Sequence, residues 1–147
     1  MGEEERPPYP LFQGKPSTKV YPYLDEQGVE LYVVCRYQLS DDEKTFRQYR
    51  LAEGEWKPLG DARRVLYRLP QVLAHLESNT LEPLFVVEGE KDVEAIEAAG
   101  GIATTSPMGA GKWTDEYSEL LQGARNVIIV ADRDADSKRR ADTGLTP

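Results

Sequence analysis

Two short apolar runs in the C-terminal half end in carboxylates. Leu84-Phe85-Val86-Val87 leads into Glu88-Gly89-Glu90-Lys91-Asp92, and Asn126-Val127-Ile128-Ile129-Val130-Ala131 leads into Asp132-Arg133-Asp134-Ala135-Asp136. Short β-branched runs bounded by polar residues read as buried parallel strands. In an open α/β sheet, ligands bind outside the carboxyl ends of the strands. If the two runs are neighbours, Glu88, Asp132 and Asp134 converge. Carboxylates placed together repel one another, and a hard divalent cation such as Mg²⁺ relieves that repulsion by taking oxygen ligands. Acidic residues after a strand often only cap the next helix. Asp132-x-Asp134 alone reads that way, and its pairing with Glu88-Gly89 turns the reading towards a metal. Gly89 leaves the backbone approachable just past the first carboxylate.

A third segment, Ser106-Pro107-Met108-Gly109-Ala110-Gly111-Lys112-Trp113, invites a phosphate-loop reading and fails it. That loop needs glycine where Ser106 stands and Ser or Thr where Trp113 stands. Lys112 stays as a candidate phosphate contact. The only histidine, His75, lies on a helical pattern and reads as a surface or rim residue.

These residues need a frame, and the pattern supplies one. From Leu84 the chain alternates strand and helix: strand 84–88, helix 90–99, strand 102–105, helix 114–122, strand 126–131, then a short polar helix from about Asp136. Such βαβαβα alternation implies a parallel sheet with right-handed crossovers. Residues 20–58 instead read as a small antiparallel meander, with Gly28 and Ser40-Asp41-Asp42-Glu43 in its turns. A linker helix starts near Pro70, which is tolerated in a first turn. The predicted organisation is thus a flexible arm or extended lead-in over 1–19, a meander and linker helix over 20–82, and an α/β domain over 83–147.

Bulk properties narrow the function. The net charge is −8, and residues 81–147 carry 13 acidic against 7 basic residues. An acidic half of this kind repels phosphate unless a cation reverses the local sign. Basic residues interleaved with aromatics lie on the meander, where Arg36, Lys44, Arg47, Arg50 and Lys57 alternate with Tyr37, Tyr49 and Trp56. That mixture suits backbone contacts and base stacking. The predicted basic approach to the acidic site is Arg47, Arg50, Arg63, Arg64 and Arg68. A single cysteine, Cys35, excludes an internal disulfide framework and a cysteine-rich zinc site. No apolar run approaches the roughly 18 residues of a membrane span. The acidic N-terminus is not a secretory signal, so the expected compartment is the cytoplasm.

Three stretches together carry a family resemblance: Val86-Val87-Glu88-Gly89-Glu90-Lys91-Asp92, Thr104 through Trp113, and Val130-Ala131-Asp132-Arg133-Asp134. They resemble the Toprim domain, the catalytic domain shared by bacterial-type primases, type IA and type II topoisomerases and several nucleases. Arg64-Val65-Leu66-Tyr67-Arg68-Leu69-Pro70 is similar to the segment before Toprim in phage and plasmid primase-helicase proteins. The resemblance implies a Toprim-like α/β fold and Mg²⁺- or Mn²⁺-dependent nucleotidyl or phosphoryl transfer on nucleic acid. It implies that Glu88 acts as general acid or base and that Asp132 and Asp134 hold the metal, with Glu88 and Asp136 as further ligands. The implied partners are single-stranded DNA or RNA, nucleotides, and a helicase or other replication partner, with no membrane. A Toprim nuclease is the alternative reading, and a degenerate module that only binds nucleic acid or a replication partner is another. The chain departs from the primase pattern at Ala135-Asp136-Ser137, where an Ala-Gly pair is usual, and it carries no zinc ribbon or helicase motor. No fourth Toprim strand is legible before Pro147. The open edge this leaves would be covered by the meander or by a second copy, so a monomer and a homodimer are both expectations.

Overall fold

The computed structural model describes residues 6–107 and 113–131 of the 147-residue chain. The chain divides into two compact units between Pro70 and Gln71. The first is an antiparallel meander followed by an irregular segment. The second is a parallel sheet with interspersed helices, so the architecture is the Toprim-like α/β class expected from the alternation.

In the first unit, β1 (Lys19–Leu24), β2 (Glu30–Gln38), β3 (Lys44–Ala52) and β4 (Glu55–Pro58) follow one another in sheet order. Asp25 starts the β1–β2 turn, its Oδ1 accepting from the backbone N–H of Gln27 and Val29. Gly28 completes that turn at φ +84°. Glu53 and Gly54 both have positive φ, the two-residue hairpin geometry that suits the strand twist.

The sheet is covered on both faces because successive side chains point opposite ways. On one face Val33, Cys35 and Tyr37 form a buried cluster, joined by Tyr9, Phe12, Val20, Tyr49 and Trp56. The lead-in supplies Tyr9 and Phe12. It is held by Tyr37 donating to the Pro10 carbonyl at 2.6 Å and by Trp56 Nε1 donating to the Pro7 carbonyl at 3.0 Å. On the other face, Tyr23 stacks on Tyr32 with ring centroids 4.9 Å apart. Tyr67 lies against Tyr21 and Tyr23. Buried Tyr32 also exchanges hydrogen bonds with the Val65 backbone, which pins the segment after β4 to the sheet.

In the second unit, α1 (Leu69–Ser78) precedes β5 (Leu84–Val86), α2 (Glu90–Ala98), β6 (Ile102–Thr104), α3 (Asp115–Leu121) and β7 (Val127–Ile129). Two helix ends show why the chain turns where it does. At the end of α2, Gly100 donates to the Glu97 carbonyl and Gly101 to the Ile96 carbonyl. With Gly100 at φ +94°, this satisfies the last carbonyls through a left-handed residue. Gly101 is needed for a second reason: a Cβ there would lie 2.8 Å from Ile96 Cγ2. At the start of α3, the Thr114 hydroxyl accepts from the Tyr117 N–H.

Candidate active site at the end of the central strand

The parallel sheet has the order β6-β5-β7. The chain leaves β5 through α2 to β6 on one side, then returns through α3 to β7 on the other. The strand order therefore reverses at β5, and its carboxyl end is a topological switch point, where open α/β sheets bind ligands. Glu88 stands two residues beyond Val86, the last residue of β5. It is half-buried.

The backbone ladder continues past the strand ends and frames Glu88 on both sides. Val87 N–H donates to the Thr104 carbonyl at 3.0 Å, and Val130 N–H donates to the Val86 carbonyl at 2.9 Å. With Val86 paired to Ile129, β5 and β7 run side by side to their carboxyl ends. Ala131 is the last described residue on the β7 side. The expected ligands Asp132, Asp134 and Asp136, and the expected phosphate contact Lys112, lie outside the described residues. Of the carboxylates expected at the metal, Glu88 alone is described. Among the described residues, no three His, Cys, Asp or Glu side chains form a metal-holding group.

Two features at this end of the sheet fit a polar ligand. Gly89 is extended, and a Cβ built there meets nothing within 4 Å, so the space beside it is open. Thr105 directly follows β6, is fully buried, and its Oγ1 has no hydrogen-bond partner among the described residues. Buried hydroxyls without partners are rare and ask for a reason. Thr104 and Ser106 are buried beside it, as is Glu90 in the first turn of α2. Sequence reasoning missed Thr105 and Glu90 because threonine is an ordinary strand residue and a first-turn glutamate an ordinary helix residue. Hard oxygen donors of this kind, Glu88 above all, fit Mg²⁺ or Mn²⁺.

The basic residues expected to guide phosphate are not brought to one place. Arg47 lies over the Phe12 ring, 4.3 Å from its centroid, on the face covered by the lead-in. Arg50 Nε donates to the Pro58 carbonyl. Arg63 forms a two-pronged pair with Glu26. Arg64 donates to the carbonyls of Gly60 and Ala62, both at 2.9 Å. Arg68 lies over the Tyr67 ring. His75 bonds the Glu82 carbonyl through Nε2, as a rim residue does.

The sheet is parallel, a carboxylate stands at its switch point, and the sequence after the neighbouring strand is acidic; residues 83–143 match the family described as the Toprim domain. That match covers 61 of the 147 residues, all in the C-terminal part of the chain. The chain also resembles a solved structure described as the DnaG catalytic core, at 25% identity with a TM-score of 0.52. The likeness covers 85% of this chain and 37% of that one, so this chain spans little more than a third of its solved relative. No curated protein sequence matches the chain.

Proposed function

We propose that the chain is a primase-like Toprim module acting in Mg²⁺- or Mn²⁺-dependent nucleotidyl or phosphoryl transfer on nucleic acid. The observation that carries this reading is the position of Glu88 at the end of the central strand, beside the strand that runs into Asp132-Arg133-Asp134. Glu88, Asp132 and Asp134 would hold the metal, with Asp136 as a further ligand. A bound divalent ion supplies charge neutralisation at the phosphate. Glu88 moves a proton at the reacting hydroxyl, a role worth roughly 10²- to 10⁴-fold in rate. The open backbone at Gly89 leaves room for the reacting group. The likeness to the DnaG catalytic core favours nucleotides and single-stranded nucleic acid as partners.

The test is incorporation of labelled nucleotides on a single-stranded template with Mg²⁺ or Mn²⁺ present. The expected result is metal-dependent product that Glu88→Gln reduces at least 100-fold. Metal-dependent cleavage of the template without incorporation would replace this reading with a nuclease. Metal-independent binding without turnover would identify a binding module.

A further inference from the structure

Strand register sorts the basic residues of the meander between its two faces. Lys19 pairs with Arg36, and Arg36 with Phe46; Tyr21 pairs with Val34, and Val34 with Gln48; Gln38 pairs with Lys44. Cross-strand partners share a face, so Lys19, Arg36, Lys44, Phe46 and Gln48 lie on the face opposite Arg47, Cys35 and Tyr49. The segment around Val65 and Tyr67 packs on this face at Tyr21, Tyr23 and Tyr32, and Val34 beside them is buried as well. Lys19 and Lys44 are exposed, and Arg36, Phe46 and Gln48 are half-exposed.

The charge on this patch is of one sign. Arg36 bonds the Thr18 hydroxyl, and neither it nor Lys44 meets a carboxylate among the described residues. Acidic residues flank the patch, in the Asp41-Asp42-Glu43 turn and at Glu55, and none sits at its strand positions. At its centre is Phe46, an aromatic ring outside the opposite-face cluster. A solvated face gains nothing from a half-exposed ring set opposite Arg36 and two residues from Lys44. Single-stranded nucleic acid uses both, since phosphates meet cations while bases stack on an aromatic.

We infer that the β1–β2–β3 face bearing Lys19, Arg36, Lys44, Phe46 and Gln48 is a binding track for single-stranded nucleic acid, with Phe46 as its stacking platform. The track deepens the proposed function and rests on it for the choice of partner. It replaces Arg47, Arg63 and Arg64, whose side chains are engaged elsewhere, with a set chosen by register.

The test measures binding of a fluorescent oligo-dT by the full chain at several salt concentrations. Lys44→Glu should weaken binding at least ten-fold and flatten the salt dependence by about one phosphate contact. Phe46→Ala should weaken it roughly ten-fold, while Phe46→Trp keeps affinity and its fluorescence is quenched on binding. Lys15→Glu, with the same charge change in the lead-in, should stay within about two-fold of wild type by comparison with those losses. If wild type binds and Lys44→Glu and Phe46→Ala match it, the track is overturned while the Toprim-site reading stands. If Lys15→Glu loses as much as Lys44→Glu, net charge alone explains binding and the track is overturned. If the track variants behave as expected but Glu88→Gln leaves metal-dependent turnover unchanged, the track stands and the catalytic reading falls.

Discussion

At the residue scale, the chemistry of single side chains follows from their surroundings. Cys35 lies in the middle of β2 within a fully buried cluster, and burial pushes its thiol above the ordinary value. The thiolate is the reactive form, so Cys35 should resist a thiol reagent at pH 8 in the native protein and react on unfolding. Rapid labelling of folded protein would contradict this. Glu26 shows the opposite shift: the hydrogen-bonded Arg63 guanidinium holds its carboxyl down at about 2. A carboxyl lowered on folding stabilises above its unfolded value of about 4.5, and the contribution is lost as pH falls towards 2. Comparing the thermal unfolding of wild type and Glu26→Gln should therefore show a gap at pH 6 that narrows below about pH 4.5 and closes only near pH 2. The pair is exposed, so the gap will be small. The place of Glu88 at the end of the central strand was legible at this scale, because the apolar run before it marks the strand and Gly89 after it breaks the pattern. The burial of the Thr105 hydroxyl without a partner among the described residues was not, because it depends on how the folded sheet packs.

At the element scale, strand runs and helix ends explain most of what the sequence made visible. The β-branched runs at 84–87 and 126–131, the glycines after α2 and the Thr114 cap all act locally, so their effects are readable without tertiary context. Gly100 shows the cost of ignoring them: alanine at its φ of +94° should destabilise the second unit by about 1–2 kcal/mol, measured by chemical denaturation. Sheet faces behave differently. Whether Arg36 shares a face with Phe46 or with Arg47 depends on pairing register, which turn geometry sets and composition does not reveal. That is why the basic residues read along the sequence as one approach and sort in the fold into two faces. The lead-in is similar: its Pro-rich composition suggests an arm, while Tyr9 and Phe12 find their places only once Tyr37 and Trp56 are placed. β7 pairs with β5 on one side, and its residues are exposed, Ile129 at 76%. An apolar edge of this kind templates association. Ile129→Lys should lower self-association in light scattering at high protein concentration, with little change in melting temperature. Equal scattering by the two proteins would show that β7 is not the sticky edge.

At the scale of the whole molecule, the two units differ in charge and in architecture. The first is an aromatic-cored meander carrying a one-signed basic face. The second is an acidic α/β sheet whose central strand ends in Glu88. A polyanionic substrate repelled by the second unit needs both a cation at the carboxylates and a basic surface elsewhere in the chain. The alternation of strand and helix made the second unit readable as a parallel α/β sheet, and its three motif stretches carried the resemblance to Toprim with which the family match over residues 83–143 agrees. The account turns on whether the acidic turns after β5 and β7 form one metal site. Electron paramagnetic resonance of Mn²⁺ titrated into the full chain measures this directly, since bound ion loses the signal of free ion. The expected result is one saturable site that Mg²⁺ displaces and that Asp132→Asn/Asp134→Asn removes, with Glu88→Gln weakening it. Wild type and the double variant taking up Mn²⁺ equally, or neither taking it up, would contradict the account.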